Sequence, residues 1–541
     1  MSVIAEAAPV DTTTAKGADA GVAAPATDDR TGQDRLVRNV IASWAGHLVF
    51  IIAGFVMPRQ IDLTIGQVGL GVWDFGWTAV NYFYLAQIGV GVSINRYVAR
   101  YRAAHNVEGL SRLISSAFLL QSTAAVIVLG LTALSVKFLP FFFADRLAGE
   151  TETAAWVIGL LGISVAIRMA IQAFSGVVTG CHRWDLHNFL NASAYAVTVY
   201  AMLVVLWRGY GLVGISAAYV GGTILNEVAR VALAFRVCPE LRVSISRARW
   251  SEARELLAFG AKLSSLEMVG IVVTQLKSML VLSQIGIGSL AVYSRLTALI
   301  RHTESIAAKY SQPLTPTASS LQGSGRHVEV RELVMSSTRF AAYLVWPILI
   351  GLAIAGDDVL RLWMGPQYDP TLVLTLMALG SLFPLSQQPM LTILVGLNLH
   401  GRFAYIQSVG ALFGLAASLI VIRWLHWDLL GFAAASILAS NFAAFWIAFD
   451  TCRQLEIPLG EYVYRSYAGP LACAMPFALS LLIVATIFAG RPALTLSVCL
   501  VVGTIVLLPL YWRVAPPEFR AQIVSRLPTM FQFRAAPQPE A

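Results

Sequence analysis

Five charged side chains stand out because each lies within a long apolar stretch of the sequence. Three are basic, Arg168, Lys277 and Arg295, and two are acidic, Asp74 and Glu267. A charge in such a stretch is costly unless it faces water, a partner or a bound ion, so these residues indicate binding sites. A guanidinium meets phosphate oxygens in a bidentate way, and a buried carboxyl group can take up a proton or Na⁺. The chemistry indicated is anion binding and ion coupling, and no residue is assigned a catalytic role.

The three basic residues differ in their surroundings. Arg168 and Arg295 lie deep in their segments and have no acidic residue three or four positions away. Lys277 lies nearer the outer end of its segment, where it can hold the same anion in a second conformation. The alternative is a structural pairing of these cations with Asp74 or Glu267, which leaves the two acids without a coupling role.

Three further basic residues lie within apolar segments. Arg230 follows Glu227 by three positions, and this spacing favours an ion pair on one face of a helix. Lys262 and Arg339 lie near segment ends, where a long side chain can reach water. We therefore interpret these three residues as structural.

The composition of the chain excludes most classes of soluble protein. Of its 541 residues, 57% are hydrophobic and 13% are charged, whereas soluble proteins carry about 25% charged residues. Apolar stretches of roughly 20 residues recur, which suits helices crossing a ~30 Å hydrocarbon core and is too long for barrel strands. The sequence predicts an all-α polytopic membrane protein and excludes a water-soluble enzyme or a secreted disulfide scaffold.

Neither the cysteines nor the net charge points to a cofactor or to nucleic acid. The five cysteines are scattered without the spacing of a metal site, and we interpret them as reduced packing thiols. The net charge of +8 comes from basic residues between the apolar segments, not from one patch. We therefore predict no cofactor, no metal site and no nucleic-acid partner.

The apolar segments predict fourteen membrane-spanning helices. Their approximate ranges are 39–57, 67–93, 113–136, 154–178, 188–207, 211–235, 256–282, 286–308, 333–355, 371–397, 403–422, 429–449, 467–489 and 493–512. Lys and Arg are unevenly shared between the two sets of alternate connections, with 24 in the set that includes both tails and seven in the other. Because basic residues concentrate in cytoplasmic loops, both termini are predicted to be cytoplasmic.

An internal repeat divides the chain into two six-helix lobes. Shifting the sequence by about 220 residues aligns four short segments in order: 71–73 with 291–293, 115–116 with 336–337, 182–184 with 401–403, and 213–218 with 430–435. Since six is even, the lobes are predicted to be parallel repeats. The predicted domains are a disordered cytoplasmic tail (1–34), an N-lobe (35–236), a C-lobe (250–450), two added helices (466–513) and a C-terminal cytoplasmic tail (514–541).

The tenth predicted helix contains two prolines near its middle, Pro384 and Pro389. Proline removes a backbone donor and clashes with the preceding turn, so the helix is expected to break there, as a hinge or as a static kink. Gln387 and Gln388 lie at the break and can bond freed backbone groups.

Two stretches resemble a known family. Residues 89–101 (GVGVSINRYVARY) with 108–113 (EGLSRL) resemble the end of the second helix and the following loop of bacterial polysaccharide flippases. Residues 274–282 (TQLKSMLVL) with 291–294 (AVYS) are similar to the seventh-to-eighth helix junction of that family. These flippases belong to the multidrug/oligosaccharidyl-lipid/polysaccharide exporter superfamily. Lys277 stands where many members have an acidic residue, so the coupling role of that acid does not transfer.

The resemblance implies a flippase of the bacterial cytoplasmic (inner) membrane. Such a protein moves polyprenyl-pyrophosphate-linked repeat units to the outer leaflet for lipopolysaccharide O-antigen or exopolysaccharide synthesis, by alternating access through a cationic cavity. The implied partners are the lipid-linked glycan, membrane lipid, coupling H⁺ or Na⁺, and polymerase and export proteins. Arg168, Arg295 and Lys277 are expected to form the anion path, and Asp74 and Glu267 are the coupling candidates.

Two other functions remain as alternatives. A multidrug or toxin antiporter of the same superfamily shares the fold but usually needs acids for a cationic substrate, whereas the deep charges here are mainly basic. A membrane polysaccharide polymerase or ligase typically has a large outer loop with catalytic residues, and the longest outer loop here covers only about 137–153.

Overall fold

The computed structural model describes residues 36–514, except 88–89, 182, 369–370 and 426–427. The predicted N-terminal tail and all but the first residue of the predicted C-terminal tail lie outside the described residues. Within the described part of the chain, the regular structure consists of helices and contains no strand.

The first half of the chain forms seven α-helices. They are α1 (Leu36–Ile65), α2 (Gln67–Asn81), α3 (Val90–Ala103), α4 (Val107–Phe143), α5 (Thr151–Gly180), α6 (Trp184–Trp207) and α7 (Gly211–Val237). A 3-10 helix, Tyr82–Gln87, follows α2, so the second predicted span is broken rather than continuous.

The second half forms ten α-helices. They are α8 (Trp250–Gln284), α9 (Ile287–Ser311), α10 (Leu314–Gly323), α11 (His327–Met364), α12 (Thr371–Ser386), α13 (Gln388–Gly396), α14 (His400–Leu425), α15 (Leu429–Gln454), α16 (Leu459–Ile487) and α17 (Pro492–Val514). The predicted break at the two prolines separates α12 from α13, while α10 is a short helix that the apolar pattern did not indicate.

Ten of the described helices are long and apolar enough to cross a membrane. The remaining four predicted spans correspond to α2 with α3, to α8, to α9, and to α12 with α13. Of these four, α2 with α3 and α12 with α13 are interrupted, α9 carries several charged residues, and α8 contributes the apolar stretch Met268–Gln284. The predicted all-α polytopic fold of about fourteen spans is confirmed.

The internal repeat is visible in the backbone. Gly66 precedes α2 with φ 90° and ψ 175°, and Gly286 precedes α9 with φ 126° and ψ 176°. Both conformations are open mainly to glycine, and the two positions are 220 residues apart. The helices that follow pack against each other, because a Cβ on Gly71 would lie 2.5 Å from the Ile287 carbonyl oxygen. Equivalent helices of the two lobes therefore meet at a common seam.

The seam is part of a large apolar core. Leu70 and Phe75 of α2 share this buried cluster with Leu282 of α8 and Ile287 and Leu290 of α9. Helices α2 and α9 begin at the same end of the bundle, after Gly66 and Gly286. We call this the arginine-poor end, since its connections contain few basic residues. The opposite, arginine-rich end carries residues such as Arg100, Arg102, Arg236 and Arg242.

Candidate functional site

A polar cavity of about 470 Å³ lies inside the N-lobe. Its walls come from α5, α6 and α7, with Phe50 of α1 and Trp77 of α2. The charged residues in its lining are Arg168, Glu227 and Arg230. With the carboxylate ionised, this charge set carries one net positive charge inside a largely apolar lobe.

Arg168 has a neutral hydrogen-bond partner and one unpartnered donor. Its Nη2 donates to the Tyr219 hydroxyl at 2.8 Å, and its guanidinium carbon lies 5.9 Å from the centre of the Tyr219 ring. Trp77 packs edge-on against the same ring, with centroids 5.2 Å apart. Arg168 Nε is buried without a hydrogen-bond partner in the described part of the chain. Tyr219 therefore orients the guanidinium without neutralising its charge.

Arg230 is neutralised by its neighbour, as its spacing predicted. Its Nε lies 2.8 Å from Glu227 Oε2, and its Nη2 donates to Asn191 Oδ1 at 2.8 Å. Asn191 also contacts His187 Nε2 at 3.0 Å. Because Glu227 pairs with Arg230, Arg168 is the cation of this cavity that has no carboxylate of a described residue within 4.0 Å.

Arg295 lies outside this cavity, in the seam between the lobes. Its Nη2 donates to Asp74 Oδ1 at 2.6 Å, and only 6% of Arg295 and 8% of Asp74 are exposed. The pair joins α9 to α2, and its members are 221 residues apart. This arrangement is the structural pairing that the sequence left open as an alternative.

Further polar contacts close the seam at the arginine-poor end. Asp62 of α1 accepts hydrogen bonds from the Tyr368 hydroxyl at 2.9 Å and from Gln367 Nε2 at 3.0 Å. Gln67 Nε2 donates to the Gly288 carbonyl oxygen at 3.1 Å. No pattern in the sequence distinguishes these residues, because polar side chains are ordinary at helix ends and in connections.

A second cavity, of about 790 Å³, lies inside the C-lobe. It is enclosed by α8, α9 and α12–α15 and is lined mainly by small, hydroxyl and amide side chains. The charged residues in its lining are Lys277, Arg301 and Glu304. Lys277 thus belongs to a different cavity from Arg168.

The described structure does not bring the five predicted residues into one site. Arg168 lies in the N-lobe cavity, Arg295 and Asp74 lie in the seam, and Lys277 lies in the C-lobe cavity. Glu267 is part of α8, but its side chain is outside the described residues. Tyr219 was missed because nothing in the sequence distinguishes an arginine-binding tyrosine from other aromatic residues of a span.

The remaining assignments concern packing. All five cysteines are free and buried, as interpreted from the sequence. At the break between α12 and α13, Gln387 Nε2 is buried without a hydrogen-bond partner in the described part of the chain. Gln387 Nε2 therefore does not bond a freed backbone carbonyl group among the described residues.

A two-lobed bundle of membrane-spanning helices, with a polar cavity in each lobe and a seam closing one end, defines a multi-pass membrane carrier. The model of one family, described as polysaccharide biosynthesis protein, matches residues 70–373, more than half of the chain. The chain belongs to this family of polysaccharide biosynthesis proteins.

Individual relatives agree with this assignment. A Shigella flexneri protein that carries the provisional name O-antigen transporter is 21% identical over 338 residues, covering 59% of this chain and 77% of the relative. An inward-facing multidrug transporter of the MATE family matches with a TM-score of 0.66 and 12% identity, covering 78% of this chain and 98% of its own. The lipid II flippase MurJ, in an inward closed conformation, matches with a TM-score of 0.63 and 12% identity, covering 90% and 100%. The two solved structures share the fold.

Proposed function

We propose that the protein is a flippase for lipid-linked oligosaccharides. It moves a polyprenyl-pyrophosphate-linked repeat unit across the membrane for the synthesis of a surface polysaccharide, either lipopolysaccharide O-antigen or exopolysaccharide. It transports its substrate and makes or breaks no bond, so it is not an enzyme. The family, the O-antigen transporter relative and the fold shared with a lipid II flippase support this function.

The observation that carries the proposal is the state of Arg168. A pyrophosphate needs a fixed cation with free donors, and Arg168 has Tyr219 as a neutral partner and an unpartnered Nε. Planar guanidinium groups bind phosphate oxygens through two parallel hydrogen bonds. The low dielectric of the lobe strengthens this attraction compared with water. Arg168 is therefore the primary site for the pyrophosphate.

The other predicted residues act later in the transport cycle. Arg295 becomes free for the anion when its pair with Asp74 separates, and Lys277 extends the cationic path into the C-lobe. Asp74 then becomes available for H⁺ or Na⁺, and Glu267 is the second coupling candidate. In this scheme the anion moves along a sequence of cations, since the three do not form one cluster.

The arrangement of the lobes suits an inward-facing state. The seam closes the arginine-poor end, whereas Gln172, Asn191 and Arg230 extend the N-lobe cavity toward the arginine-rich end. The excess of Lys and Arg supports a cytoplasmic location for the latter end and for both termini. The membrane is the bacterial inner membrane, and a polymerase and export proteins would use the delivered repeat unit.

The antiporter remains the second candidate, because MATE transporters share the fold. A cationic drug entering the N-lobe cavity would meet Arg168, which no described carboxylate neutralises. This positive charge favours an anionic substrate and disfavours the antiporter.

The test is complementation of a gene deletion with wild type, Arg168→Ala, Arg168→Lys and the exposed control Arg208→Ala. Loss of a charge-assisted bidentate contact should lower surface polysaccharide about 10- to 100-fold in Arg168→Ala, with partial recovery in Arg168→Lys. Intact repeat units should accumulate on the cytoplasmic face, while Arg208→Ala behaves as wild type. Membrane levels of each variant are measured in parallel.

One result would contradict the proposed function, and another would contradict only the role of Arg168. Normal polysaccharide in the deletion strain, together with altered drug sensitivity, would identify an antiporter instead. Full complementation by Arg168→Ala at normal expression would remove Arg168 from the path and leave the flippase function standing.

A further inference from the structure

The two cavities have different chemistry although they belong to repeated lobes. The N-lobe cavity presents the unpaired guanidinium of Arg168, whereas the larger C-lobe cavity presents many neutral donors and acceptors. They include Thr274, Thr297, Gln388, Gln407, Ser408 and Ser440. Hydroxyl and amide groups suit the hydroxyl groups of sugars, and about 790 Å³ lies within the usual range of ligand cavities.

Lys277 gives this neutral cavity one unpaired charge. No carboxylate of a described residue lies within 4.0 Å of its ammonium group. Glu267 is ten positions earlier on the same helix, about 15 Å away along the axis. Glu304 lies about 13 Å nearer the arginine-rich end, because α8 and α9 run in opposite directions from Gly286. Glu304 is therefore too far along the bundle axis to neutralise Lys277.

An unpaired ammonium group inside a lobe is costly, so it usually has an anionic partner. Arg301 and Glu304 are three positions apart on α9, which puts them on one face and lets them offset each other's charge. Lys277 has no such neighbour. The missing partner is therefore a group that enters the cavity with the ligand.

Gln387 supplies a second unpartnered group in the same cavity. Only 2% of this residue is exposed, and its Nε2 has no hydrogen-bond partner among the described residues. It lies at the break between α12 and α13, and it lines the cavity. Broken helices inside a membrane protein are tolerated where they line a cavity, and they often form the binding site. A buried amide donor left free is suited to a sugar hydroxyl or carboxylate oxygen.

We propose that the C-lobe cavity binds the glycan of the lipid-linked substrate and that Lys277 selects a repeat unit containing an acidic sugar, such as a uronic acid. Gln387 donates a hydrogen bond to the same sugar. The inference rests on the proposed flippase function, since the pyrophosphate must occupy Arg168 for the glycan to reach the other lobe. An ammonium group is a point charge that suits a single carboxylate, whereas the diphosphate is better matched by the guanidinium of Arg168.

The test measures binding of three probes to the purified full-length protein in lipid nanodiscs. The probes are farnesyl pyrophosphate and two farnesyl-pyrophosphate-linked disaccharides, one ending in glucose and one in glucuronic acid. The variants are Lys277→Met, Lys277→Arg and Gln387→Leu. Gln121→Leu is the matched control, because Gln121 is also 2% exposed and does not line either cavity.

We expect wild type to bind the glucuronate probe about tenfold more tightly than the glucose probe, as one charge-assisted contact supports. Lys277→Met should abolish this preference and should weaken the glucuronate probe far more than farnesyl pyrophosphate, whose first binding site is Arg168. Lys277→Arg should retain most of the preference. Gln387→Leu should weaken both sugar probes several-fold and leave farnesyl pyrophosphate unchanged. Gln121→Leu should behave as wild type, and thermal unfolding checks that each variant is folded.

The probes separate failure of this inference from failure of the proposed function. If Lys277→Met weakens all three probes equally, the lysine serves the pyrophosphate, and the acidic-sugar assignment is overturned. The acidic-sugar assignment is also overturned if wild type binds the glucuronate probe and the glucose probe with equal affinity. If wild type binds none of the probes, the flippase function fails and this inference fails with it.

Discussion

At the scale of single residues, the buried pair of Asp74 and Arg295 links the two lobes by charge. Asp74 Oδ1 and Arg295 Nη2 lie 2.6 Å apart, and both residues are almost fully buried. Asp74 Oδ2 and two nitrogens of Arg295 lack further hydrogen-bond partners among the described residues. A buried pair of this kind adds little net stability, but removing one partner leaves an uncompensated charge. The pair is therefore an element of specificity for this arrangement of the lobes.

Asp74→Asn should destabilise the protein by about 3–5 kcal/mol, because Arg295 would remain charged and buried without a counterion. The double variant Asp74→Asn with Arg295→Gln should recover much of this loss, since both charges are then gone. Denaturant or thermal unfolding of the detergent-solubilised protein measures the four members of this cycle. If the two single losses simply add in the double variant, the residues are not coupled and the pair is not important for stability.

The buried charges are easier to predict from the sequence than their partners are. The pair of Glu227 and Arg230 was predictable, because both members lie on one turn of one helix. The pair of Asp74 and Arg295 depends on which helices meet, and local sequence does not contain that information. One signal was present: their separation of 221 residues matches the repeat spacing. Residues at equivalent positions of two packed repeats lie near the symmetry axis.

At the scale of elements, α2 and α9 form the contact that closes the arginine-poor end. A Cβ on Gly71 would lie 2.5 Å from the carbonyl oxygen of Ile287 and 2.7 Å from its Cγ1. Real Cβ atoms do not approach backbone oxygens so closely. The absence of a side chain at Gly71 is therefore required for the two helices to pack at this distance.

Gly71→Ala should shift the carrier toward the state in which the arginine-poor end is open. Overpacking at such a contact typically costs about 1–3 kcal/mol, so the open population should rise roughly 5- to 150-fold. The reporter is Thr297→Cys in the C-lobe cavity, labelled in whole cells with a membrane-impermeant maleimide. The control Gly54→Ala should leave labelling unchanged, because no atom lies within 4 Å of the added Cβ. Equal labelling of the Gly71→Ala and Gly54→Ala variants would show that the seam does not control access to the C-lobe cavity.

The predicted helices agree closely with the observed ones, because length and hydropathy determine a membrane-spanning helix largely by themselves. The main differences are at tertiary features. The second span contains the 3-10 helix Tyr82–Gln87, and the short α10 packs against α13. The sequence around neither feature contains a signal as strong as proline, whereas Pro384 and Pro389 did predict the break between α12 and α13. The unpartnered amide of Gln387 required knowledge of the surrounding helices.

At the scale of the whole molecule, the two lobes contact each other through a seam of apolar packing that also contains hydrogen bonds at its edge and one buried ion pair. Asp62, Gln367 and Tyr368 form hydrogen bonds at the arginine-poor end, and the Asp74 pair lies deeper. Transport by alternating access requires this seam to open while the opposite end closes. Hydrogen bonds and one ion pair can exchange for water or for substrate groups, which suits a contact that forms and separates in each cycle.

Cross-linking the seam should therefore stop transport. Gln67 Nε2 lies 3.1 Å from the Gly288 carbonyl oxygen, and a Cβ at position 288 would lie 3.6 Å from Gln67 Nε2, without a clash. The double variant Gln67→Cys with Gly288→Cys is treated with a short bis-methanethiosulfonate reagent that a reductant can cleave. Because the linked lobes cannot separate at this end, transport of repeat units into the outer leaflet should fall at least about tenfold.

Reduction of the linker should restore transport, and the two single-cysteine variants should keep their activity in the same reagent. Binding of a polyprenyl-pyrophosphate probe from the arginine-rich side should persist in the cross-linked protein, since Arg168 lies in the N-lobe cavity and not in the seam. Loss of transport with retained binding identifies the opening of the seam as a required step. Undiminished transport by the fully cross-linked protein would mean that the substrate crosses without separation of the lobes at α2 and α9.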